Sequence, residues 1–205
     1  MDCVAQPGRQ RIPAVRLVLL AACGVLLVGC SDDATPKAQV STTVVTTTPR
    51  TVAPDGTTVP GTVVALGQQA VVRWRADKAH DSVVTLTVTA AKRGKVKDLE
   101  QFSLNGAARS SSVYYVSVAV RNTGDGDLSG QTLTLYGKVS KDLVVPPVVL
   151  SSTFDRCGDQ PLPAKFTTGA KAQVCILMLA PHHGSISEVQ WRGPGNTEPI
   201  GWRVR

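Results

Sequence analysis

The pattern of apolar and polar positions changes character twice along the chain. Residues 17–28 are an unbroken run of small and apolar side chains, residues 31–62 carry few large apolar groups, and beyond Gly61 apolar and polar positions alternate in short bursts. That alternation has the period of two expected of strands with one wet face. Ala70, Val72 and Trp74 fall on one side, Val71, Arg73 and Arg75 on the other. Val84, Leu86, Val88 and Ala90 face away from Thr85, Thr87 and Thr89, and β-branched Thr suits a solvated strand face. Tyr114, Val116, Val118 and Val120 likewise oppose Tyr115, Ser117 and Ala119, and Asn122-Thr123-Gly124-Asp125-Gly126-Asp127 then supplies a turn rich in residues that tolerate positive φ. Between these two strands, residues 92–112 predict a long polar connection with a short turn at 98–102. Leu133 and Leu135 predict a further strand. Residues 139–150 predict another, which Pro146 and Pro147 confine to an edge or a bend. Residues 174–179 are apolar without alternation, the signature of a strand covered on both faces. Residues 186–191 and 200–204 close the series. With no long amphipathic helix, seven to nine short strands separated by Gly and Pro turns predict an all-β, two-sheet sandwich over residues 63–205.

The apolar run near the start is too short to span a bilayer, which takes roughly 20 apolar residues. Arg9, Arg11 and Arg16 precede it, and Ser31, Asp32 and Asp33 follow it, the layout of a secretory leader over residues 1–29. Leu27-Val28-Gly29-Cys30 at its end resembles a bacterial lipobox. That resemblance implies diacylglyceryl transfer to the Cys30 thiol, cleavage before it, and a mature chain anchored by lipid to the extracellular face of the cell membrane. Residues 30–62 then read as a tether: threonines alternate with Val and with Pro36, Pro49, Pro54 and Pro60, which deny ladder hydrogen bonds and leave too little apolar surface to offset the ordering of the backbone. Such a segment reaches about 30 Å as a coil and about 100 Å as stretched polyproline II. Ser/Thr/Pro composition also makes it a candidate for O-glycosylation.

Composition refines this picture without redirecting it. The chain has 205 residues and a net charge of +7; part of that charge belongs to the leader's three arginines, and the rest is mildly basic. For a membrane-tethered domain this suits anionic lipid heads, wall polymer or an envelope protein as partners rather than nucleic acid, which needs a concentrated basic face. Of five cysteines, Cys3 and Cys23 leave with the leader and Cys30 goes to lipid, so Cys157 and Cys175 remain. An even pair in an exported domain predicts a disulfide, worth about 3 kcal/mol by loop entropy.

The segment 115–124, with Val116, Val118 and Val120 leading into Asn122-Thr123-Gly124, is followed some forty residues on by 163–169 and the apolar strand 174–179. Together these resemble a bacterial extracellular domain family of unknown function with an immunoglobulin-like sandwich, which includes secreted immunoprotective antigens and lipoproteins of high-GC Gram-positive bacteria. The resemblance spans about residues 62–205 and implies a non-catalytic role.

Candidate chemistry is sparse. Lys92, Arg93, Lys95 and Lys97 crowd one segment and could contact an anionic surface, against the plainer reading of a solvated loop. His182 and His183, with His80, Asp155 and Asp159, are weak metal candidates, since adjacent residues of an extended chain point apart. Asn122, Gly124, Asp125 and Asp127 lack the glutamate that would complete a calcium loop. No Gly-x-Ser-x-Gly elbow and no glycine-rich phosphate loop occur, so no enzyme and no cofactor are expected. Trp74, Trp191 and Trp202 either line a ligand platform or pack the core, and large aromatics between sheets favour packing. The expected function is a lipid-anchored binding or scaffolding module of the envelope; a surface carrier of metal or a small ligand is the alternative.

Overall fold

Among the described residues of the computed structural model the strands are β1 (Val63–Ala65), β2 (Gln69–Arg75), β3 (Asp81–Arg93), β4 (Ser112–Asn122), β5 (Tyr136–Lys138), β6 (Val144–Val145), β7 (Lys171–Ala180), β8 (Glu188–Trp191) and β9 (Ile200–Arg203). The structure describes residues 51–158, 160–195 and 197–204. The leader, Cys30, the tether as far as Arg50, and Asp159 lie outside the described residues.

The strands form two sheets packed face to face, in the orders β2-β3-β4-β7 and β1-β9-β8-β5-β6. All pairings are antiparallel except β1 with β9. The alternation in the sequence sets which side chains meet. Ala70, Val72 and Trp74 of β2, Val84, Leu86 and Val88 of β3, and Tyr114, Val116, Val118 and Val120 of β4 enter one core with Val189, Trp191, Ile200 and Trp202 of the facing sheet. The result is an all-β sandwich.

β7 explains its own unbroken apolarity. Val174, Ile176 and Met178 point into that core, whereas Leu177 points out the other side into a second cluster of Leu99, Phe102, Val113, Phe154 and Cys157. The second cluster covers part of the outer face of the four-stranded sheet. Its cover comes from the connection after β3, which holds a 3-10 turn, Val96–Leu99, and a one-turn helix α1, Gly106–Arg109, capped by the Asn105 carboxamide on the Ala108 N–H at 2.8 Å. The Cys157–Cys175 disulfide, with Cα atoms 5.0 Å apart, ties the segment before β7 onto β7 itself.

Local departures from the sequence reading each have a physical cause. Leu133 and Leu135 are buried as expected, but the ladder starts only at Tyr136. The ladder of β3 on β4 slips between Val88 and Ala90, so Ala91, rather than Ala90, packs against the core. β3 also runs on to Arg93, because Tyr114 and Tyr115 of β4 offer it partners, which places Lys92 and Arg93 on a strand. Residues 144–145 form the edge strand that the two prolines require. Residues 51–62, grouped with the tether by composition, make backbone bonds to the sandwich: the Thr58 N–H donates to the Val71 carbonyl at 2.7 Å, the Val71 N–H donates to Thr58 Oγ1 at 2.9 Å, and the Gly201 N–H donates to the Thr62 carbonyl at 2.9 Å.

The turn after β4 is pinned by Asn122, which is wholly buried. Its Oδ1 accepts from Ser82 Oγ at 2.7 Å, and its Nδ2 donates to the carbonyls of Gly126 at 2.8 Å and Phe166 at 3.0 Å. Gly124 and Gly126 lie so close to the backbone of Val83 and Asp81 that a Cβ at either would collide with it.

Candidate functional site

The residues singled out in the sequence are dispersed by the fold. His80 sits in the turn between β2 and β3, its Nδ1 2.7 Å from Asp77 Oδ2. His182 and His183 occupy the turn after β7, at the opposite end of the four-stranded sheet, as the pairing of Ser112 with Ala180 and Arg121 with Lys171 requires. Both are in the left-handed region, φ 54° each, and the His183 N–H donates to the Ser110 carbonyl at 2.8 Å. Among the described residues no three His, Cys, Asp or Glu side chains converge.

Lys92, Arg93, Lys95 and Lys97 are all exposed. Lys92 and Arg93, as neighbours on a strand, point to opposite faces, and the Arg93 guanidinium donates to Ser112 Oγ at 2.6 Å. Among them lies Asp98, whose carboxylate accepts from the Lys95 N–H and the Tyr115 hydroxyl at 3.1 Å each and pairs with Arg156 at 3.1 Å. The Lys95 N–H above all, then Tyr115 and Arg156, hold the Asp98 carboxyl below its ordinary range. Burial, with help from Asp98, pushes the Tyr115 phenol up to about 12.

The three tryptophans are core residues. Trp202 is fully buried and its indole N–H donates to the Gln68 carbonyl at 2.8 Å. Trp74 and Trp191 meet edge to face, with centroids 6.1 Å apart and planes at 73°. Their outer edges back a cleft of about 530 Å³, open to solvent between residues 130–136 and 191–194.

This cleft is where the five-stranded sheet comes apart. β5 pairs with β8 from Lys138 opposite Glu188 to Tyr136 opposite Gln190. The ladder goes no further: residues 132–135 make no backbone hydrogen bond among the described residues, and past β8 the chain enters Gly193-Pro194-Gly195, where proline has no N–H to give. Leu133 and Leu135 stay in the core while Thr132 and Thr134 are exposed on the cleft wall.

Arg192 stands over the cleft. The Arg192 guanidinium lies 5.6 Å from the centroid of the Tyr136 ring, over its face, and donates to Gln190 Oε1 at 3.0 Å. Gln190 Nε2 donates in turn to Glu188 Oε1 at 2.7 Å, which fixes the amide with its oxygen toward Arg192. Glu188 also lies 3.9 Å from Lys138 Nζ. Among the described residues no carboxylate is within ion-pair distance of Arg192. The other arginine at the cleft, Arg75, is committed: it pairs with Asp81 at 2.8 Å, and hydrogen bonds from Arg73 and then Arg75 hold that carboxyl below its ordinary range.

Tyr136, Gln190 and Arg192 are absent from the candidates that the sequence suggested. The trace they leave is the alternation of Glu188, Gln190 and Arg192 with Val189 and Trp191, a polar stripe on the outward face of one strand. That pattern identifies the stripe, but the splayed ladder beside it is a tertiary feature.

Set against family models, curated proteins and solved structures, the chain matches none of them.

Proposed function

We propose that this chain is a lipid-anchored, non-catalytic binding module on the extracellular face of a bacterial cell membrane. Cys30 is the acylated residue, the Thr/Pro stretch after it is the spacer, and the sandwich presents loops and the splayed cleft to an envelope partner. One observation carries the reading. The Cys157–Cys175 bridge uses both cysteines of the sandwich, and disulfides of this kind belong to oxidising compartments. Of the five cysteines, a cut before Cys30 then leaves only that thiol unassigned. The resemblance to extracellular lipoproteins supports the same placement. A small-ligand carrier is the second reading, favoured by the same cleft.

The test is metabolic. In high-GC Gram-positive cells supplied with an alkyne-tagged fatty acid, the full-length chain takes up label, loses its leader and partitions into detergent, while the Cys30→Ser variant takes up none. Label on the variant, or an intact unlabelled leader on the native protein, overturns the anchor. Cross-linking in the same cells identifies the envelope component held by the module.

A further inference from the structure

The structure assigns the cleft between residues 130–136 and 191–194 to an acidic saccharide: a polyhydroxylated ring bearing a carboxylate or phosphate, with the anion held by Arg192. Three features converge on that ligand.

The first is a positioned and uncompensated cation. Glu188 orients the Gln190 amide, the amide oxygen accepts from Arg192, and the face of Tyr136 supports the guanidinium at 5.6 Å. Among the described residues none of the groups touching Arg192 is anionic, so there its charge is fixed in place without a carboxylate partner. A guanidinium held this way is matched to the oxygens of a carboxylate or phosphate.

The second is the wall opposite. Thr132 and Thr134 line it with hydroxyls and Gln131 with an amide, and the backbone groups of Thr132 and Thr134 are without partners among the described residues. A dense row of directional donors and acceptors suits a ring carrying several hydroxyls. The third is size: about 530 Å³ lies inside the span of small-ligand sites, roughly 300–1,000 Å³.

An added peptide strand fits less well. The free stretch is short and closed at both ends, by the Leu162 N–H on the Gln131 carbonyl at 2.8 Å and by the pairing of Tyr136 with Gln190. Strand addition needs a longer open edge.

The inference rests on the reading of this chain as a binding module, but not on its anchor, which the labelling of Cys30 tests separately. The experiment titrates the full-length chain in detergent with four probes while following tryptophan fluorescence, since Trp191 backs the cleft. The probes are tetragalacturonate, glucose 6-phosphate, maltotetraose and an acidic tetrapeptide. The expected result is saturable binding of one or both acidic sugars, weakened by salt and at least about tenfold tighter than maltotetraose. Which acidic sugar binds distinguishes the carboxylate source from the phosphate source. Arg192→Gln, an exposed position whose melting temperature should be unchanged, lowers that affinity about tenfold. Arg121→Ser/Lys171→Ser, which removes two cations from the four-stranded sheet, leaves it unaltered. Equal binding of maltotetraose, tighter binding of the peptide, indifference to Arg192→Gln, or no binding of any probe at millimolar concentration overturns the assignment.

Discussion

Asn122 illustrates how much a single polar residue can decide when it is buried. Its carboxamide bonds one hydroxyl and two carbonyls, joining β3, the turn after β4 and the segment before β7. Asn122→Ala removes three hydrogen bonds, although the Phe166 carbonyl keeps the Leu128 N–H and Ser82 Oγ keeps the Gly126 N–H, so a loss of about 2–3 kcal/mol is expected in urea denaturation, against about 1 kcal/mol for Ser82→Ala. Asp98 is the corresponding hub beside the second cluster. Its folded carboxyl titrates below 3.8, the value it has when unperturbed, so its stabilisation is complete above that pH and is lost as pH falls through the folded value. The difference in melting temperature between the native chain and Asp98→Asn should therefore be constant from pH 7 to about pH 5 and shrink below pH 4. In an absorbance titration one tyrosine should ionise near 12 in the native protein. In Asp98→Asn it should ionise lower but still above 10, because burial is the larger cause.

At the scale of elements, β2 and β7 show how an edge and a covered face are managed. β2 is an edge of its sheet, and an unpaired edge invites pairing with other chains. Thr58 occupies it: its N–H donates to the Val71 carbonyl and its hydroxyl oxygen accepts from the Val71 N–H. In hydrogen exchange the Val71 amide should be protected despite its edge position, and Thr58→Ala should speed its exchange with little change in global stability. On β7 the disulfide fastens the second cluster across a sequence separation of 18, for which the loop-entropy estimate is about 3 kcal/mol. Cys157→Ser/Cys175→Ser should lower the unfolding free energy by about that amount. Amides of 148–158 should exchange first, while the β3–β4 ladder, held by the main core, keeps its protection.

At the scale of the whole molecule, two packed sheets leave one outer face partly covered by the second cluster and split the other sheet beside Trp191. The alternating runs of β2, β3 and β4 were readable because period two is imposed by the pleat itself, and the unbroken run of β7 because both its faces are buried. Leu133 and Leu135 have the same periodicity without a ladder, since burial governs the side-chain pattern whereas pairing depends on a neighbour the sequence does not name. Thr58 has the composition of a linker but the contacts of a strand edge, for the same reason.

The sequence by itself determined the all-β class and the inward faces of β2 and β4, because period two is a local property, and it predicted the pairing of Cys157 with Cys175 from the expected loss of the leader and acylation of Cys30. Tertiary structure alone decided that Lys92 and Arg93 diverge, that His80 lies far from His182 and His183, and that Tyr136 and Arg192 meet across a split sheet. Those are relations between residues distant in the chain, and they are set by strand order and register, which no local pattern encodes.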